Sequence, residues 1–133
     1  MSPVLLVVAI ALIAGWLLAV AVIDQRTGRI PNRLVLPAVA GTAVVALLVP
    51  AVGLSACVLA VPYLAAFACG TVGGGDVKLA VPCGGLLADP VTAVLAALLA
   101  AVGTLLVSLA TKRSRHPHGP ALTITTVLLM MLK

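Results

Sequence analysis

The chain contains very little charge. Only 8% of its 133 residues are charged, glutamate is absent, and the only acids are Asp24, Asp76 and Asp89. Aromatic residues make up 2% of the chain, whereas apolar residues make up 63%. Soluble globular proteins carry about a quarter charged residues, and disordered segments are polar. The composition therefore excludes both classes and indicates an integral membrane protein.

Cysteine is also scarce, and its spacing excludes the usual cysteine frameworks. Cys57, Cys69 and Cys83 lie in apolar stretches, are odd in number and show no CxxC spacing. Disulfide scaffolds and zinc sites need paired or closely spaced cysteines. We predict buried free thiols, no metal site and no cofactor.

Six apolar runs divide the chain, at residues 1–23, 34–49, 54–69, 79–88, 91–111 and 121–132. A transmembrane helix needs about 20 apolar residues, and the first run has no preceding bases, which disfavours a signal peptide. We predict a single all-α domain over residues 1–133. It is a polytopic membrane protein of about six transmembrane helices, with the fourth and sixth helices short or kinked.

The basic residues orient these helices. Seven of the eight bases lie in the first, third and fifth loops, whereas the turns at 50–53 and 89–90 carry none. Cytoplasmic loops are enriched in Lys and Arg, so the sequence predicts a multi-pass membrane protein with these three loops in the cytoplasm and its N-terminus outside. The net charge of +5 is explained by this clustering, and we predict no nucleic-acid partner.

Two acids lie directly against apolar runs. Asp24 ends the first run and Asp76 follows three glycines before the fourth, so the predicted topology places both at the cytoplasmic face. A charged Asp at membrane depth costs about 2.5–3.5 kcal/mol. Two interpretations stay open for each acid. Asp24 either pairs with Arg26 or Arg29 or belongs to a site, and Asp76 either caps a helix or belongs to the same site. Asp89 is predicted to be a turn residue before a proline.

As a pair, the two acids would form a carboxylate dyad. Two neighbouring carboxyl groups do not both ionise readily, so one stays charged and accepts a proton from water while the other stays protonated and polarises a carbonyl. The pattern predicts amide hydrolysis without a covalent intermediate. Gly73, Gly74 and Gly75 would give an extended substrate access to the acids.

Two motifs resemble those of the prepilin leader peptidase family. The first is Asp24 followed by Arg26 and by Ile30-Pro31-Asn32, and the second is Gly73-Gly74-Gly75-Asp76-Val77-Lys78-Leu79. The resemblance implies an aspartic endopeptidase of the cytoplasmic membrane. Such an enzyme removes the basic leader from type IV prepilin or pseudopilin precursors at the cytoplasmic face, before pilus or secretion-system assembly. It implies Asp24 and Asp76 as the catalytic pair.

The resemblance also implies supporting residues and shows two departures from the family. The supporting residues would be Gly73, Gly74, Gly75, Lys78, Arg26, Pro31 and Asn32, with Asn32 also able to cap the second helix. Ten residues without cysteine join the first two runs, which resembles the short, peptidase-only form. The Pro-x-Gly-Pro step at 117–120 is flanked by His116 and contains His118, and we predict both histidines to be inert.

Two alternative functions remain open at the level of sequence. A non-enzymatic transporter subunit or pilus-assembly scaffold would also contain broken helices and buried acids, but a transport site lies near the membrane midplane. A presenilin-like protease would place its acids deeper within apolar helices, whereas ten polar-rich residues begin at Asp24.

Overall fold

The chain folds as a bundle of helices. The computed structural model describes residues 2–111 and 119–132, and over these residues the fold is all-α, as predicted. Six helices account for most of them: α1 (Pro3–Thr27), α2 (Asn32–Leu48), α3 (Pro50–Ala68), α4 (Gly74–Leu87), α5 (Pro90–Thr111) and α6 (Gly119–Leu132).

Helix length separates three of these elements from the rest. Among the described residues, α1, α3 and α5 are long and apolar enough to cross a membrane, whereas α2 and α6 are shorter apolar helices. At 1.5 Å per residue, the 14 residues of α4 or α6 extend over about 21 Å, less than a hydrocarbon core of about 30 Å. Over the described residues, the fourth and sixth helices are therefore short, as predicted.

The outer surface of the bundle is apolar. Large hydrophobic side chains are widely exposed along the long helices, and Leu47 and Leu48 at the end of α2 are 85% and 80% exposed. An apolar surface of this extent is stable against lipid tails and not against water.

Of the three cysteines only Cys83 is buried, whereas Cys57 and Cys69 are exposed. The prediction that all three thiols are buried is therefore wrong. Cys57 lies on the lipid-facing outside of α3, and Cys69 lies where α3 ends.

One of the two shortest helices, α4, lies at the centre of the bundle. Eight of its fourteen residues are buried, compared with four of the twenty-five residues of α1. α4 contacts α2, α3, α5 and α6, and its Leu79, Ala80 and Cys83 belong to the main core cluster. The helix whose first turn contains Asp76 is thus the central element on which α2, α3, α5 and α6 pack.

Small residues allow the helices to approach closely. α5 contributes Ala93, Ala96 and Ala100 to the core, each almost fully buried. Gly84 of α4 lies so close to α3 that a Cβ atom there would be 2.7 Å from the Ser55 carbonyl oxygen. The Ser55 hydroxyl donates a 2.6 Å hydrogen bond to the Gly84 carbonyl. Small residues and interhelical hydroxyl bonds are the usual means of helix association in membranes.

Three helix boundaries differ from the pattern of apolar runs. α1 continues through Asp24 to Thr27 and ends where Gly28 adopts a left-handed conformation (φ 68°). α3 begins at Pro50, so the predicted turn at 50–53 is reduced to Val49. α4 begins at Gly74, five residues before its apolar run. Hydrophobicity marks where lipid or core contact begins, whereas backbone hydrogen bonding marks where the helix begins.

The loops sort onto two ends of the bundle. At one end, the segment between α1 and α2 contacts the start of α4, and the start of α6 contacts the end of α1. At the other end, the Ser55 hydroxyl near the start of α3 also bonds the Asp89 carbonyl between α4 and α5, at 3.2 Å. Arg26, Arg29, Arg33 and Lys78 therefore all belong to the first end, which we call the aspartate end.

The close approach at Gly84 predicts a large effect of a single methyl group. Gly84→Ala would force a Cβ atom against the backbone of Ala56 and Ser55, which cannot move aside as a side chain can. Overpacking of this kind costs about 1–3 kcal/mol. We expect a lower free energy of unfolding in mixed detergent micelles for this variant.

Gly103→Ala in α5 is the matched control, because a Cβ atom at Gly103 meets nothing within 4 Å. Equal stability of the two variants would contradict the packing of α3 on α4.

Candidate active site

Asp24 lies in the last complete turn of α1 and is buried, with 3% of its surface exposed. Its carboxylate oxygen Oδ2 accepts a 3.0 Å hydrogen bond from the backbone N–H of Gly119, the first residue of α6. Arg26 and Arg29 lie on the exposed surface. The carboxylate therefore points into the bundle, towards α6, which favours the site interpretation over the surface ion pair.

Asp76 is the third residue of α4 and is also buried, with 8% exposure. Its Oδ2 accepts a hydrogen bond from the N–H of Gly73, which precedes the helix, at 3.3 Å. The Asp76 side chain therefore does cap the start of α4. A surface cap does not require burial, however, so the buried position of Asp76 leaves the site interpretation in place.

The two acids lie at the same end of the bundle. Gly75, next to Asp76, packs against Ile30 so tightly that a Cβ atom at Gly75 would be 3.0 Å from the Ile30 Cβ. Ile30 follows the last residue of α1 by three positions. α6 contacts both α1 and α4, and its first residue holds Asp24. The end of α1 and the starts of α4 and α6 therefore lie together at the aspartate end.

The first motif is joined directly to the second. Pro31 has the extended conformation expected of the Ile-Pro-Asn step, with φ −65° and ψ 130°. Asn32 does not cap α2, as the sequence suggested. Pro31 occupies the cap position without a side-chain hydrogen bond, and the Asn32 Oδ1 instead accepts a 3.0 Å hydrogen bond from the Lys78 ammonium. The amide joins two helices because it supplies an acceptor for the Lys78 ammonium.

The remaining predicted residues have distinct surroundings. Gly73 is the N-cap of α4, and a Cβ atom at Gly74 would lie 3.7 Å from the ring of Phe67. Arg26 is the basic residue of the last turn of α1, where a positive charge interacts favourably with the helix dipole. His116 and His118 lie outside the described residues.

Two residues at the site were missed by sequence reasoning. Gly119 belongs to the Pro-x-Gly-Pro step, whose spacing gives no sign of a contact with Asp24. The two residues are 95 positions apart in the sequence. Tyr63 of α3 is buried and belongs to the same core cluster as Leu79 and Cys83 of α4, the helix of Asp76. The sequence does contain a sign of the importance of Tyr63. It is a polar ring in an apolar run, next to the kink-forming Pro62.

Asp89 is separate from the site. It accepts hydrogen bonds from the backbone and hydroxyl of Thr92 in the first turn of α5, at the end of the bundle opposite Asp24 and Asp76. This cap agrees with the predicted turn role. Across 2–111 and 119–132, no cluster of three or more His, Cys, Asp or Glu side chains is arranged to hold a metal ion.

Comparison with known families adds one finding to this geometry. Residues 11–110 match the model of the type IV leader peptidase family, a stretch that includes both aspartates and both motifs. No curated protein and no solved structure matches the chain.

The hydrogen bond between Lys78 and Asn32 predicts energetic coupling between the two motifs. Asn32→Ala and Lys78→Met each remove the same bond, so the double variant is expected to lose less stability than the sum of the single losses. The coupling should be about 0.5–1.5 kcal/mol, measured by unfolding in mixed micelles. Strictly additive losses would show that the bond contributes nothing to the fold.

Proposed function

Because the chain belongs to the type IV leader peptidase family, we propose that it is an aspartic endopeptidase in which Asp24 and Asp76 form the catalytic pair. The family supports a membrane-embedded protease. The aspartic chemistry is supported by one observation above all: two buried carboxyl groups lie at one end of the bundle, and the third aspartate caps a helix at the other end.

The proposed reaction uses a water molecule as the nucleophile. The water oxygen attacks the scissile carbonyl carbon while one carboxylate accepts a proton from the water. The other carboxyl group is protonated and donates a hydrogen bond to the carbonyl oxygen. The C–N bond of the tetrahedral intermediate then breaks, and the amine leaves with a proton from the dyad. General acid–base catalysis of this type needs no covalent intermediate.

The substrate is proposed to be a type IV prepilin or pseudopilin precursor, cut after its short basic leader. The apolar exterior of the bundle supports a substrate whose own apolar helix approaches through the bilayer. Asp24 and Asp76 lie in the terminal turns of their helices, so the bond between a polar leader and an apolar helix could reach them without entering the membrane midplane.

The position of the acids also weighs against the transporter alternative. From Pro3 to Asp24, α1 rises about 32 Å at 1.5 Å per residue, so Asp24 lies a full hydrocarbon thickness from the start of α1. A transport site lies near the midplane. A scaffold would have no use for two buried acids, whereas a peptidase would use both of them in catalysis.

The active site is proposed to face the cytoplasm. Arg26, Arg29, Arg33 and Lys78 belong to the same end of the bundle as the two acids, and basic residues concentrate on the cytoplasmic side. The N-terminus would then be outside, and the cytoplasmic membrane would be the location of the protein.

Neutralising either acid is expected to abolish processing. Asp24→Asn and Asp76→Asn keep side-chain size but can neither accept the proton of water nor donate one, so kcat should fall by about 100- to 10,000-fold. The measurement is cleavage of a purified prepilin by the full chain in proteoliposomes, followed by electrophoretic shift and mass spectrometry of the new N-terminus.

Asp89→Asn serves as the control, because Asn is as good a helix cap as Asp and Asp89 is at the opposite end; this variant should cleave at the wild-type rate. Full activity of either Asp24→Asn or Asp76→Asn would overturn the proposed function.

The sidedness can be tested with the native Cys69, which is exposed at the end of α3, on the aspartate end. With Cys57 and Cys83 replaced by alanine, a membrane-impermeant maleimide should label Cys69 in inverted membrane vesicles and not in intact spheroplasts, because the cytoplasmic face is accessible only in the former.

The control for this labelling is Val49→Cys in a background with all three native cysteines replaced by alanine, since Val49 is exposed between α2 and α3 at the opposite end. It should label from the outside. Reversed patterns for the two positions would place the active site outside the cell.

A further inference from the structure

We propose that Gly119 is the positioning residue for Asp24, and that the start of α6 sets the orientation of this carboxylate. The inference rests on the proposed function, since it assigns a role within the same site. It explains why a glycine is found where α6 begins, a position at which a helix does not itself require glycine.

The first observation is the hydrogen bond itself. The Gly119 N–H donates to Asp24 Oδ2 at 3.0 Å, and both residues are buried. The first backbone N–H groups of a helix have no partner within the helix. The bond therefore satisfies a donor of α6 and an acceptor of α1 together, and a bond to a carboxylate is stronger than one between neutral groups.

The second observation is the absence of space. A Cβ atom at Gly119 would collide with Asp24 Oδ2 and would be 3.0 Å from Asp24 Cγ and 3.3 Å from Asp24 Cβ. The obstacle is the whole carboxyl group and its stem, held inside the bundle, so it cannot swing away as the tip of a long side chain would. Any larger residue at this position would displace either the carboxylate or the start of α6.

The glycine is not needed for its backbone conformation. Gly119 is a helical residue of α6, so its backbone conformation is one that alanine can adopt. Substitution by alanine therefore adds one methyl group and introduces no backbone strain. The three atoms closest to that methyl group all belong to Asp24, so the substitution acts first on the carboxylate.

The contact also relates the two acids to each other. α6 packs on α4 as well as on α1, and Leu122 of α6 belongs to the same buried cluster as Cys83 of α4. Cys83 is two turns beyond Asp76 on the same helix. α6 is thus fixed against the helix of Asp76 at one point and holds the carboxylate of Asp24 at another.

The test compares Gly119→Ala with Gly103→Ala, whose Cβ atom would meet nothing within 4 Å. In proteoliposomes with a purified prepilin, Gly119→Ala should lower kcat by about 100-fold, the usual effect of displacing a reacting group by about 1 Å. KM should change little, because the atoms closest to the added methyl group all belong to Asp24, a reacting group. Gly103→Ala should retain the wild-type kcat and KM.

A second measurement, independent of activity, is thermal unfolding in micelles. Gly119→Ala should lower the midpoint in the wild-type background and have little effect in an Asp24→Ala background, where the added methyl group has room. If Gly119→Ala alone does not fold, the double variant should fold.

Wild-type kcat for Gly119→Ala, or an equal loss of stability in both backgrounds, would overturn the inference. Failure of the proposed function has a different outcome: Asp24→Asn would remain active while the thermal coupling between positions 24 and 119 persisted.

Discussion

The burial of two carboxyl groups in an apolar helix bundle is the constraint on which the rest of this structure depends. A buried carboxylate without a hydrogen-bond donor is strongly destabilising, and the bundle has few polar side chains to offer. Backbone N–H groups at two helix starts act as donors here, from Gly73 for Asp76 and from Gly119 for Asp24. The positions at which α4 and α6 begin are therefore part of the site.

The positions at which α4 and α6 begin are explained by the same requirement. A helix start can serve as a donor only if it lies where the acid lies, so α4 and α6 begin at the aspartate end and extend about two thirds of the hydrocarbon thickness. The long helices α1, α3 and α5 carry much of the lipid contact, while α4 packs its Gly84 against α3. The central helix begins at the aspartate end and ends at Leu87, next to the opposite end of the bundle.

Hydropathy and charge scarcity in the sequence were enough to predict an all-α membrane protein, the six apolar segments and the two candidate acids. They were not enough to predict the residues at which the helices begin. Gly74 and Gly75 have low helix propensity, yet they are helical because Asp76 caps that turn and Ile30 packs on it. Asn32 looked like a cap and is instead the acceptor for Lys78. The packing of Ile30 and the bond to Lys78 join segments far apart in sequence, which local patterns do not contain.

Support of the acids by backbone groups has a consequence for how the site depends on sequence. A side-chain donor is lost when it is truncated, whereas a backbone N–H persists through any substitution except proline. What a substitution can change at Gly119 is the space beside the carboxylate, and at Gly75 the space beside Ile30. At these two positions an added atom is therefore expected to perturb the surroundings of Asp24 and Asp76, which accounts for the glycine at each.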